Sequence, residues 1–195
     1  MSDSSEYIDQ LVDEKALEEY LTEELGPTGK FDISYHTGGN SNEIIFVTWG
    51  DLDLVLRRPP PGETANTAHE ILREYQVLSA LQDTPVPVPQ TFVECHDTSV
   101  VGAEFYLMER VEGEIIGDEE PDRFATPEYR KQIGIELIET LAHIHMVDYE
   151  DVGLADFGHP EGYTQRQVDR WSKQMEWLYE EKNHDRQVPD LKELR

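Results

Sequence analysis

The amino-acid sequence predicts an α+β fold, in which a five-stranded antiparallel sheet with one helix is followed by a helical segment. The first observation is the order of the patterns: three alternating apolar–polar runs, a helical repeat, then two more strand-like runs. The second is a change near residues 112–126, after which apolar residues recur every three or four positions. The apolar content of 37% is enough for a packed core.

Turn-forming residues separate the elements of the predicted sheet. The five predicted strands are 31–35, 44–49, 52–57, 91–95 and 105–111. Gly50-Asp51 forms the turn between the second and third strands. Three prolines at 59–61 end the third strand, and a helix is predicted over 65–81. The connections indicate antiparallel neighbours.

The change of pattern divides the chain into four predicted parts. The first part, residues 1–29, contains an acidic helix predicted over 8–25. The second part, residues 30–112, contains the sheet with its helix. An acidic loop follows at 113–126, and 127–195 form a partial helical lobe. In that lobe, one helix starts at Pro127, and a later one carries Trp171.

Acidic residues dominate the composition: 42 Asp and Glu stand against 16 Lys and Arg, a net charge of −26. This balance favours adaptation to molar salt over an ordinary acidic cytoplasmic protein. Such a surface repels phosphate backbones, which argues against a nucleic-acid partner. The N-terminus has neither a basic region nor an apolar run, and no stretch is long enough for a membrane span. We therefore expect a cytoplasmic protein.

A glycine-containing loop between the first two strands is the first candidate for binding chemistry. Its residues are Gly38, Gly39, Asn40, Ser41 and Asn42. Glycine allows close approach of an anion, and a concave run of amides can bind phosphate. An ordinary hairpin turn uses the same residues, so the loop alone does not establish a site.

Two charged residues add to this pattern. Arg57 ends the third strand, and Glu74 lies seventeen positions later on the predicted helix. A strand cation paired with a helical glutamate holds the α- and β-phosphates in the protein-kinase fold. The segment 107–113 ends the fifth strand, where main-chain groups can meet an adenine edge and Met108 can form a wall. The alternatives are a surface arginine and a solvated glutamate.

Several blocks in register resemble the aminoglycoside phosphotransferase and choline kinase superfamily, over about residues 30–195. The blocks are 38–42, 55–60, 73–81, 85–89, 106–113, 141–145 and 152–163. The likeness is greatest to the branch sometimes fused to acyl-CoA dehydrogenases. It implies a protein-kinase-like N-lobe over 30–112 and the first helices of an incomplete C-lobe. It also implies ATP and Mg²⁺ as cofactors and a small-molecule hydroxyl as acceptor.

The resemblance assigns a role to individual residues of the N-lobe. Arg57 stands at the family's phosphate-binding basic position, and Glu74 at its partner on the helix. Glu109 and Val111 stand at the hinge that contacts adenine.

The residues that perform phosphoryl transfer in this superfamily are missing from the sequence. The family pattern His-Gly-Asp-x-x-x-x-Asn and the later metal-binding Asp-Trp-Glu do not occur before Arg195. The segment His145-Met-Val-Asp148 mimics the catalytic loop, but Gly153 stands five positions after Asp148 in place of the asparagine. Asp156, in Asp-Phe-Gly, follows too closely to be the second site. A helix end and a turn explain both, so no catalytic or metal residue is assigned.

Three functions remain open. The chain is the N-terminal portion of an ATP-dependent phosphotransferase, a non-catalytic nucleotide- or metabolite-binding module that acts through a partner, or a truncated remnant. The last helix exposes apolar residues if nothing covers them: Trp171, Met175, Trp177 and Leu178. We therefore expect either self-association through the C-terminal helices or a requirement for a second polypeptide.

Overall fold

A computed structural model shows the fold of the chain. The structure describes residues 7, 11–36, 42–61, 65–117, 120–159 and 161–181, with the backbone alone described at 65–70 and 176–181. The predicted phosphate-binding residues Gly38, Gly39, Asn40 and Ser41 lie outside the described residues. Asn42 lies within them.

The centre of the fold is a five-stranded antiparallel sheet. Its strands are β1 (Phe31–His36), β2 (Glu43–Trp49), β3 (Leu52–Arg58), β4 (Thr91–Cys95) and β5 (Phe105–Glu109). The spatial order is β1-β2-β3-β5-β4. The first three strands form a meander, and β5 pairs with β3 so that the last two strands complete the sheet. The predicted α+β class is confirmed, and so is the predicted order along the chain of three strands, a helix and two strands.

The fifth strand ends two residues earlier than the pattern predicts. Glu109 is paired with Leu54, and the Arg110 amide donates to the Asp53 carbonyl at 3.0 Å. Because β3 begins at Leu52, its edge offers little further pairing. The chain therefore leaves the sheet at the segment where the sequence places the hinge.

Within the described residues, five α-helices with defined ends accompany the sheet. They are α1 (Glu14–Leu25), α2 (Ala65–Ala80), α3 (Thr98–Val101), α4 (Pro127–Met146) and α5 (Tyr163–Glu181). The short α3, and a 3-10 turn at Asp122–Phe124, were not predicted. The prediction of one continuous helix over 8–25 is also wrong, because Val12 and Asp13 are not helical, whereas Ile8 itself lies outside the described residues. Asp13 is instead the N-cap, and its Oδ1 accepts the Lys15 and Ala16 amides at 3.0 and 3.1 Å.

The main hydrophobic core lies on one face of the sheet, which we call the back face. Alternate residues of β2, β3 and β5 are buried there, as the period of two requires. Helix α1 adds Leu17 and Leu21, and α3 adds Val100 and Val101. The acidic N-terminal helix is thus a layer of the sheet-bearing domain, with its charged residues turned to solvent.

Helix α2 packs on the opposite, front face, against β3, β4 and β5. Ile71 is buried, the Tyr75 and Tyr106 rings are 5.8 Å apart, and the Ser79 and Thr91 hydroxyls are 3.0 Å apart. Much of the front face beside β2 is only half-buried.

The chain divides into two compact units, residues 1–153 and 154–195. Helix α4 belongs to the first unit and buries none of its residues. In the second unit, Arg166 lies in the first turn of α5. Its guanidinium donates to the carbonyls of His159 and Glu161, which precede the helix. Among the described residues, no helix combines the length and apolarity that crossing a bilayer demands.

Candidate functional site

The carboxylate of Glu74, on the front face, receives donors from β3, from β5 and from the residue that precedes β2. Arg57 Nη1 lies 3.0 Å from Oε2, and the Tyr106 hydroxyl donates to the same oxygen at 3.0 Å. Asn42 Nδ2 donates to Oε1 at 3.2 Å. The Arg57 and Glu74 side chains are 27% and 37% exposed, so the ion pair is open to solvent on one side. The glutamate therefore fixes the arginine without enclosing it.

Strand alternation explains why these donors meet. Arg57 is paired with Tyr106 across β3 and β5, and with Ile44 across β3 and β2. Residues that are directly paired point to the same face of a sheet. Arg57 and Tyr106 therefore both face α2, where Glu74 lies within reach.

Tyr106 is fully buried beneath the ion pair. Burial raises the pKa of its hydroxyl well above the usual range, and the Arg57 charge opposes this in part. The phenol thus keeps its proton and donates to Glu74 at any pH near neutrality. It fixes one of the two carboxylate oxygens from below.

Arg57 keeps hydrogen-bonding capacity that the described residues do not use. Its Nε atom is buried and has no partner in the part of the chain that the structure describes. A buried donor without an acceptor is unfavourable by about 1–3 kcal/mol. The solvent-open side of the guanidinium, in contrast, can be reached by an anionic oxygen, so the arginine can bind a phosphate group there.

Three apolar side chains continue the front face beyond Arg57. Val55, on β3, is paired with Phe46 on β2 and with Met108 on β5. Val55 is buried, whereas Phe46 and Met108 are half-buried. These side chains form an apolar surface, two residues along the strand from Arg57, against which a planar group could lie.

Phe46 also carries a cation on its ring. The Arg110 guanidinium lies 3.8 Å from the Phe46 centroid, and the His36 ring centroid is 5.0 Å away. A guanidinium over an aromatic face is attracted by the ring quadrupole. Neither Phe46 nor Arg110 was singled out from the sequence.

The main chain at the end of β5 divides into bonded and open positions. The Glu109 amide donates to the Gln90 carbonyl at 2.7 Å, and the Glu109 carboxylate accepts the Gln90 amide at 3.2 Å. The Arg110 amide is bonded to Asp53. Val111 comes next, is 65% exposed, and has no main-chain partner within the described segments. Its N–H is the first one past the sheet that is open to a ligand.

The two aspartates that resemble catalytic motifs take part in turns. Asp148 follows α4, and its Oδ1 accepts the Glu150 and Asp151 amides at 2.9 and 3.4 Å. Asp156 lies in the second unit, where the Phe157 amide donates to the Leu154 carbonyl at 3.0 Å. Across the described ranges, no group of three or more His, Cys, Asp or Glu side chains is arranged to hold a metal ion. We derive no step through a metal from these residues.

The sequence profile of the phosphotransferase enzyme family matches residues 32–194. The chain belongs to this family. The match includes Glu74 and its three donors Arg57, Tyr106 and Asn42, which together we call the Glu74 cluster. The resemblance noted in the sequence is therefore confirmed at the level of the family.

Individual relatives agree with this assignment. Acyl-CoA dehydrogenase family member 11 of Homo sapiens is 37% identical over 179 residues, which cover 89% of this chain and 23% of that protein. A probable acyl-CoA dehydrogenase, IBR3 of Arabidopsis thaliana, is 39% identical over 150 residues, which cover 74% of this chain and 18% of that protein. The chain thus spans less than a quarter of the length of these relatives.

A solved structure has the same fold. It is a Ralstonia eutropha protein described as an aminoglycoside phosphotransferase, with a TM-score of 0.75 and 32% identity. The similarity covers 94% of this chain and 51% of that protein. The kinase-like fold is therefore confirmed, and the neighbour carries about as much again of its own chain outside the shared region.

Proposed function

We propose that this chain forms the nucleotide-binding part of an ATP-dependent phosphotransferase that acts on a small-molecule hydroxyl. The observation that carries the proposal is the Arg57–Glu74 ion pair, held by Tyr106 and Asn42 beside an apolar surface. Membership of the phosphotransferase enzyme family supports the reaction class.

Each part of the site has a task in nucleotide binding. Arg57 binds phosphate oxygens, and Glu74 holds its guanidinium in place, so little side-chain entropy remains to be lost on binding. Met108, Val55 and Phe46 pack against the base. The Val111 amide and the Glu109 carbonyl meet the hydrogen-bonding edge of adenine. ATP supplies the phosphoryl group that is transferred.

The acceptor hydroxyl is activated by residues outside this chain in our proposal. Phosphoryl transfer in kinase-like folds uses an aspartate near the hydroxyl and an asparagine for Mg²⁺. No His-Gly-Asp-x-x-x-x-Asn pattern occurs in the 195 residues. This same observation favours the second candidate, a nucleotide-binding module that does no chemistry of its own.

The apolar side chains that α4 exposes support a partner for this chain. Leu137, Ile138, Leu141 and Ile144 form an exposed apolar stripe along it. Because the solved neighbour is about twice as long, the occupant that we propose is the helical remainder of the same family fold, on this polypeptide or another. Self-association through the stripe is the alternative outcome of the test described below.

Titration calorimetry with Mg·ATP in molar salt tests the binding proposal. We expect the wild type to bind, and Arg57→Met to weaken binding by about tenfold or more, since a charge-assisted hydrogen bond is lost. Arg130→Met is the matched control, because Arg130, on α4, also forms a solvent-exposed ion pair with a glutamate, Glu120, and that glutamate is not part of the proposed site. No detectable binding by the wild type, or equal losses in the two variants, would refute the proposal.

Transfer assays separate the two candidates. Mg·ATP and small alcohols are incubated with this chain, alone and with the helical half of a related phosphotransferase. Turnover that requires both halves supports the phosphotransferase. Nucleotide binding without turnover in either mixture supports the binding module.

A further inference from the structure

The back face of the sheet carries a second carboxylate with two tyrosine donors, directly behind the Glu74 cluster. Glu43, the first residue of β2, accepts the Tyr7 hydroxyl at 2.9 Å and the Tyr35 hydroxyl at 2.8 Å, one on each oxygen. The Tyr7 and Tyr35 rings meet edge to face at 5.2 Å. Glu43 thus joins the N-terminal segment to both β1 and β2.

Arg58 holds the same N-terminal segment at a second point. Arg58 is paired with Glu43 across the sheet and is 3% exposed. Its guanidinium donates to the carbonyls of Leu11, Val101 and Pro59. The positive charge of Arg58 attracts Glu43. The segment is therefore fixed by a tyrosine–carboxylate contact at Tyr7 and by an arginine–carbonyl contact at Leu11.

Asn42 lies next to Glu43 in the chain, but its side chain is on the opposite, front face of the sheet. Its Nδ2 reaches Glu74, whereas the neighbouring carboxylate is bound to Tyr7. Successive side chains of an extended segment point to opposite faces. Any rotation of the backbone at Glu43 would therefore displace the Asn42 amide from Glu74.

We propose that Glu43 is a positioning residue: anchored by Tyr7 and Tyr35 behind the sheet, it holds Asn42 against Glu74 and thereby orients Arg57 for phosphate. The acidic N-terminal segment is then part of the binding apparatus, although it touches no ligand. For its effect on nucleotide affinity, the inference rests on the proposed function. Its effect on Asn42 does not depend on any ligand.

Tyr7→Phe tests this inference because it removes one hydroxyl and leaves the ring packing in place. The matched control is Tyr20→Phe, which also removes a hydroxyl bond between the N-terminal layer and the sheet, from Tyr20 to the Glu94 carbonyl on β4. Two readouts are compared in molar salt. The first is the NMR signal of the Asn42 side-chain amide in ligand-free protein, identified by its loss in Asn42→Ser. The second is the dissociation constant of Mg·ATP.

The inference predicts that Tyr7→Phe moves the Asn42 signal and that Tyr20→Phe leaves it in place. It also predicts an Mg·ATP dissociation constant raised about threefold to tenfold in Tyr7→Phe alone. An unmoved Asn42 signal in Tyr7→Phe, or equal movement in both variants, overturns the inference. If the wild type binds no nucleotide, the proposed function fails, and the Asn42 signal still decides the positioning role.

Discussion

Arg57 and Arg58 are neighbours on β3, and their side chains lie on opposite faces of the sheet. Arg57 pairs with Glu74 at 3.0 Å and is partly open to solvent. Arg58 is buried and donates to main-chain carbonyls of the N-terminal segment and α3. One cation is thus available for a ligand, and the other is used by the fold.

We therefore expect substitutions of the two arginines to have different effects. Arg58→Met leaves buried carbonyls without donors and should lower the free energy of unfolding by about 2 kcal/mol or more. Arg57→Met should lower it by less than about 1 kcal/mol, because a solvent-open ion pair contributes little. Urea unfolding in molar salt measures both. Equal losses would contradict the division of roles.

The Glu74 cluster should behave as one energetic unit. Tyr106→Phe and Glu74→Gln each disturb the hydroxyl–carboxylate bond at 3.0 Å. We expect the double variant to be more stable than the sum of the single losses predicts, with a coupling of about 0.5–3 kcal/mol. The measurement is a double-mutant cycle by urea unfolding. Strict additivity would show that Tyr106 and Glu74 act independently.

Alkaline pH should destabilise the fold through Tyr35. The hydrogen bond to Glu43 raises the pKa of Tyr35 to about 12, and burial and the negative charge of Glu43 act in the same direction. Since the pKa of tyrosine in the unfolded chain lies near its ordinary value of 10.0, the folded state binds more protons between these two values. The stabilisation is complete below pH 10 and is lost as the pH rises to about 12.

Tyr35→Phe is the variant that isolates this effect. It has no hydroxyl to ionise, so its free energy of unfolding should fall less steeply than that of the wild type over the same pH interval. Urea unfolding across the interval gives the two slopes. Parallel curves would show that Tyr35 is not responsible for the alkaline loss.

Most of the sheet can be predicted from the sequence, because strand positions depend on patterns among neighbouring residues. Alternation and turn residues place the strands within two residues of their observed ends, and the order of elements brings Arg57 near Glu74. Tyr106 could also have been found, since it shares strand parity with Met108. In contrast, which of Arg57 and Arg58 is buried depends on contacts with Leu11 and Val101, which are distant in the chain. Local patterns carry no information about such contacts.

The acidity of α1 gives a prediction about charge and salt. Its last turn has no basic residue, and Glu23 is exposed there at the negative end of the helix dipole. Glu23→Lys should raise the free energy of unfolding by about 0.3–1 kcal/mol at the lowest salt at which the chain folds. The gain should shrink in molar salt, where charges are screened.

Glu14→Lys is the matched control for this effect. It makes the same change in net charge, but Glu14 lies in the first turn of α1, where a negative charge is favourable. We expect it to lose stability at low salt, or to gain less than Glu23→Lys does. Equal gains in the two variants would show that the effect comes from the change in net charge and not from the helix dipole.

The exposed stripe of α4 should govern binding of the proposed occupant, the helical remainder of the family fold. Leu141 is 50% exposed at the centre of the stripe, so Leu141→Lys should change the free energy of unfolding by no more than about 0.5 kcal/mol. If the stripe is an interface, the variant should nevertheless lose binding to the helical half of a related phosphotransferase, because a lysine placed there must be desolvated.

Gln132→Lys provides the comparison, because it adds the same charge at an exposed polar position of the same helix. Analytical ultracentrifugation in molar salt reports the mass of each protein, alone and mixed with the helical half. Binding that is lost in Leu141→Lys and kept in Gln132→Lys supports the proposed occupant. A wild type that dimerises alone, and whose dimer Leu141→Lys abolishes, assigns the stripe to a second copy of this chain. A wild type that stays monomeric, both alone and mixed with the helical half, would show that neither occupant binds to α4. The proposal that the stripe is an interface would then be wrong.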